Sequence, residues 1–196
     1  MIFVASHTNR DVPASFRDAL ASLRNPSVRP EVHLTEVPAP GKLAPFSVAL
    51  SADIQQSHDE DPLATGRFVV LHDPEGQESW GGSFRAVTLS RAELEPDIGH
   101  DPMLPSVAWS WVEDMTLTLP TASALGGTVT AVSSNSFGSL IDKEPITEVE
   151  IRASWTTDSD VGTHFIAWTN MLCTMAGLPP PTAGVTHLRS FPRKPR

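Results

Sequence analysis

Between Ile146 and Trp155 the chain alternates, placing Val149, Ile151 and Ala153 on one side and Glu148, Glu150 and Arg152 on the other. A period of two sends successive side chains to opposite faces of a strand, so this segment has one dry face and one wet face. Parallel sheets are covered on both faces and read as continuous apolar runs, so the pattern points to an antiparallel sheet packed on one side only.

Five more runs read as strands: Glu31 to Val37, Phe46 to Ile54, Thr65 to His72, Ser83 to Arg91 and Thr128 to Val132. Pro, Gly and acidic loops separate the first four and are too short for parallel crossovers, which makes an antiparallel meander. Pro13 opens a helix through Leu23, with Val12, Phe16, Ala19, Leu20 and Leu23 at helical spacing, and Asn25-Pro26 stops it. Pro105 opens a second helix over Leu104 to Leu117, striped by Leu104, Val107, Ala108, Trp111, Val112 and Met115. A third spans Val161 to Ala176 and stops at Gly177, with Val161, Phe165, Trp168, Met171, Leu172 and Met175 in one wide sector.

The expected fold is therefore α+β, a mostly antiparallel six-stranded sheet with helices packed on one face, in the order α-ββββ-α-ββ-α. Residues 13–178 form a single domain between a flexible N-terminus (1–12) and a Pro-rich, basic tail (179–196) expected to be disordered.

Cys173 is the sole cysteine, so neither an internal disulfide nor a Cys-rich zinc module can form. With no apolar leader in the first residues, the expected location is the cytoplasm. No apolar run approaches the ~20 residues that a membrane-spanning helix needs. The net charge is −9, but residues 1–29 carry +2 and the last ten residues +4, leaving −15 in between. Such a body repels phosphate, and duplex nucleic acid is not an expected partner.

Candidate chemistry is sparse. His72, Asp73 and Glu78 stand where a strand gives way to a loop, a common place for acids, bases and metal ligands. Asp73-Pro74-Glu75-Gly76 also has the residue order of a type I turn, and no second histidine stands at metal-ligand spacing, so a turn is expected there. His164 and Cys173 are nine residues apart on one helix and point to opposite sides, which removes a nucleophile–base pair. The chain has no nucleophile elbow, Walker loop or dinucleotide fingerprint, so no catalytic residue, cofactor or metal ligand is assigned. Trp109 and Trp111 lie about 160° apart on their helix, so one stripe cannot bury both. With Trp80, His72, Asp73 and Glu78 they mark a candidate interaction surface.

Several stretches together carry a family resemblance: Arg29-Pro30-Glu31-Val32, Leu43-Ala44-Pro45-Phe46, Ala64-Thr65-Gly66-Arg67-Phe68, His72-Asp73-Pro74-Glu75-Gly76-Gln77-Glu78, Trp109-Ser110-Trp111, Glu150-Ile151-Arg152-Ala153-Ser154-Trp155 and Met175-Ala176-Gly177-Leu178-Pro179-Pro180. Over roughly residues 14 to 181 the chain resembles the actinobacterial domain of unknown function family number 3000. The resemblance brings no catalytic or ligand residues. It implies a gene neighbourhood containing a ribonuclease D-like exonuclease. The expected function is a non-enzymatic protein-binding or adaptor domain with a protein partner. The alternative is a metal-dependent hydrolase or nucleic-acid-processing enzyme using acids at Asp73, Glu75 and Glu78.

Overall fold

The computed structural model describes residues 12–57, 61–95, 98 and 101–180, so most of the expected flexible N-terminus and nearly all of the tail lie outside the described residues. Among them are the α-helices α1 (Ala14–Leu23), α2 (Leu104–Leu117) and α3 (Val161–Met175), and one 3-10 turn at Gly138–Leu140. The six strands are β1 (Val32–Val37), β2 (Phe46–Ile54), β3 (Ala64–Gln77), β4 (Gly82–Leu94), β5 (Ser123–Ser134) and β6 (Ile146–Thr157). They form one sheet in the order β1-β2-β3-β4-β6-β5, and every neighbouring pair is antiparallel. This is the α+β architecture that the alternation requires.

The first four strands make the expected meander. After β4, α2 carries the chain to the far edge, β5 begins there, and a hairpin returns β6 into the place between β4 and β5. All three helices lie on one side of the sheet, over Val48, Leu50, Phe68, Val70, Ala86, Val149, Ile151 and Trp155. In α3 the whole expected stripe is buried, and Trp168 has no exposed surface. Its indole lies over Gly66, where a Cβ would collide with the ring, and Nε1 donates to Ser90 Oγ at 2.9 Å. Gly177 ends the helix at φ 72°, a conformation that suits glycine, while the Leu178 N–H bonds back to the Cys173 carbonyl.

Two local expectations need correction. Asp73 to Gly76 is not the hairpin turn, because β3 continues through it to Gln77 with an irregular register between His72 and Gln77. Gly76 takes a positive φ of 75° inside that irregularity, and the turn follows instead, with the Trp80 and Gly81 N–H groups donating to the Gln77 carbonyl. The strand expected at Thr128 to Val132 is twelve residues long, because backbone pairing to β6 extends it where side-chain alternation is weak.

Candidate functional site

His72 faces inward from β3, only 1% exposed, so it is no part of a surface. Its ring stacks on Phe84 with centroids 4.0 Å apart and on Phe16 at 5.7 Å. Nδ1–H donates to the Ser83 carbonyl at 2.9 Å, and Nε2 accepts from Ser15 Oγ at 3.2 Å. Burial lowers its pKa, against the smaller raising effects of Ser83 and Asp73. A neutral ring with both nitrogens engaged is a core element, not a general base.

Asp73 points to its own strand end, accepting the Glu75 N–H and the Gln77 side-chain amide. Glu75 and Glu78 are exposed nearby. Among the described residues no three His, Cys, Asp or Glu side chains gather, so the acids named for a hydrolase do not converge there.

The three tryptophans are dispersed. Trp109 lies beneath β5 on Gly127, where a Cβ would strike its ring, and Nε1 donates to Glu113 at 3.0 Å. Trp111 lines an apolar groove of about 470 Å³ between α2 and α3, with Met115, Leu119, Ile166, Met171 and Arg29. Trp80 is on the opposite side of the sheet, packed toward Ala49, Val69 and Leu71. A single surface joining the residues expected from sequence is therefore absent.

The open face of the sheet has a composition that individual strands do not reveal. Arg67, Arg85, Arg91 and Arg152 all point there, and these are all the arginines in the six strands. Register sets them in rows across the strands. Leu71 pairs with Arg85 and Arg85 with Thr156; Val69 with Val87 and Val87 with Ser154; Arg67 with Leu89 and Leu89 with Arg152. These rows continue through Ser47, Ala49 and Ser51 on β2 and contain no carboxylate. Acids begin one row further on, where Glu150 bridges both Arg91 and Arg152.

Arg85 is half-buried, and burial lowers its pKa. It donates to the Ala124 carbonyl at 2.9 Å, to Thr156 Oγ1 and to both oxygens of Ser154, all neutral acceptors. The bond to Ala124 pins a bulge in β5 whose φ of 49° is otherwise costly for a residue with a Cβ. Arg67 has no ion-pair partner among the described residues. Between Arg67 and Arg152 lies a shallow depression of about 470 Å³, floored by Val69, Val87 and Leu89 and open toward Gly126. Its signal was divided among residues up to 85 positions apart, which only the sheet register joins.

The two edges also differ. β1 has six residues including His33 and Glu36 and runs into Pro38. β5 has twelve residues with no charge and no proline, nearly all exposed, and no strand pairs with its far side among the described residues. Beyond it Phe137, Leu140 and Ile141 project into solvent at 79%, 50% and 69% exposure.

Residues 12–186 match the family described as a protein of unknown function, DUF3000, and the chain belongs to that family. Neither the curated proteins nor the solved structures contain a match.

Proposed function

We propose that this chain is a protein-binding domain that takes an extended segment of a partner along the free edge of β5. The observation that carries this reading is the contrast between the edges. An unpaired strand offers a row of backbone donors and acceptors, and proteins normally blunt such a row with charge, proline or shortness. β1 has all three; β5 has none of them, and its bulge between Ser123 and Gly126 leaves Gly126 to Ser134 in regular register with β6. Addition of a strand supplies affinity through main-chain bonds, and the exposed Phe137, Leu140 and Ile141 supply apolar area beside it.

The setting that accompanies this reading is the cytoplasm, supported by a lone thiol, Cys173, that is buried with its pKa raised by burial. Among the described residues no helix is long and apolar enough to cross a membrane.

The test is site-specific photocrosslinking in the native cell, with the reactive residue at Thr130 of β5 or, for comparison, at Thr35 of β1. The expected result is a discrete adduct from Thr130 that maps to one extended stretch of a partner, and none from Thr35. Equal yields from the two edges, or no adduct from β5, overturn the reading.

A further inference from the structure

We propose that the depression on the open face between Arg67 and Arg152 is a second docking site, and that it takes an acidic peptide segment. The site does not depend on strand pairing at β5, so either proposal can fail alone.

The chain carries −9, yet three consecutive rows of the open face hold Arg67, Arg85 and Arg152 and no Asp or Glu. Arg85, two rows away, is held by neutral oxygens, and no carboxylate pairs with it among the described residues. Arg91 and Arg152 share the single carboxylate of Glu150, which leaves that trio positive as well. Arg67 is an exposed cation with no ion-pair partner among the described residues. An anionic segment is repelled by most of this protein and attracted here, which selects one face of the molecule.

Geometry then narrows the class. Arg67 and Arg152 flank Leu89 in one row, two strand spacings or about 10 Å apart, and Arg85 lies four residues or about 13 Å along β4. A planar guanidinium receives a carboxylate bidentately, while the aliphatic floor of Val69, Val87 and Leu89 accepts an apolar side chain between the two arginines. Gly126 lacks a side chain and lowers the rim on the β5 side, so a segment can enter over it. Single-stranded nucleic acid fits less well. It is held by stacking on aromatic rings, and the depression is lined by none. A longer phosphate chain would also run onto Glu148, Glu150 and Asp53 beyond the basic rows.

The test uses the full chain and a fluorescein-labelled ten-residue peptide of alternating Glu and Val, with Gln–Val and Lys–Val peptides as counterparts. Anisotropy at 50 mM and 300 mM NaCl should show binding of the Glu peptide alone, weakening as salt rises. Arg67→Gln and Arg152→Gln should each lower its affinity at least fivefold, and Lys143→Gln should leave it unchanged. Arg67 and Arg152 are exposed, so these variants should fold, and far-UV circular dichroism checks that they do. Equal binding of Glu and Gln peptides, wild-type affinity in both arginine variants, or no binding of the Glu peptide overturns the proposal. Tighter binding of a twelve-residue single-stranded RNA, lost in the same variants, overturns it in favour of nucleic acid. Crosslinking at Thr130 is read separately and is untouched by any of these outcomes.

Discussion

The two faces of the sheet are read from the same strands at alternate residues, yet they have almost nothing in common. The helix side collects Phe68, Trp155, Phe165 and Trp168, whose rings meet at centroid distances of 5.3 to 6.1 Å. Even its polar groups are internalised: His164 accepts from Trp155 Nε1 at 2.9 Å and bonds Thr121 through its other nitrogen. The open side collects arginines over a thin aliphatic floor. Burial of aromatic and aliphatic area stabilises a fold far more than exposed ion pairs do. The fold therefore rests on one face, and the exposed residues of the other carry little of its stability.

The strongest way to break this contrast is Trp168→Ala. It removes a wholly buried indole and leaves a cavity over Gly66, and it should cost ~3–5 kcal/mol in urea unfolding. An unchanged midpoint would mean that the helix face does not carry the fold.

Acid should have a smaller effect on the same face. Burial lowers the pKa of both His72 and His164 below their free values near 6.5. The unfolded chain then binds protons that the folded one refuses, so stability is complete above about pH 6.5 and falls as the pH drops below it. Urea midpoints between pH 8 and 5.5 should be flat at first and then decline. A midpoint that rises on acidification would show a charged, stabilised ring inside the core.

Smallest of all should be Arg67→Gln on the open face, within about 0.5 kcal/mol of the parent by the same unfolding measurement. A loss comparable to that of Trp168→Ala would make the open face structural and end the division of labour.

Much of this division was legible in the sequence. The alternation from Val149 to Ala153 marked the two faces, and the stripe from Val161 to Met175 marked their cover, because both periods are written in apolar residues. β5 was legible only in its middle. Its extent comes from backbone pairing to β6, and its exposed Ser, Thr and Gly carry no apolar period to read. The turn chemistry of Asp73 to Gly76 pointed to the wrong place, since the same residues serve a bulge as well as a turn. The basic rows were hidden by arithmetic. Summing charge along the chain gives an acidic body, whereas register brings Arg67, Arg85 and Arg152 together from three different strands. His72 was misjudged as a surface residue because sequence marks the end of alternation, and β3 does not end there.

The placement of β6 between β4 and β5 also sets a schedule for synthesis. β4 is complete at Leu94, but its pairing partner begins only at Ile146, roughly fifty residues later, which takes several seconds at ribosomal rates of about 5–20 residues per second. Until Ile146 to Thr157 emerge, β4 has no partner on that side. Arg85, Arg91 and Glu93 charge that side of β4, a feature that opposes pairing with a neighbouring nascent chain. The arginines that face outward in the finished domain are thus also the charges on the edge of a half-made one.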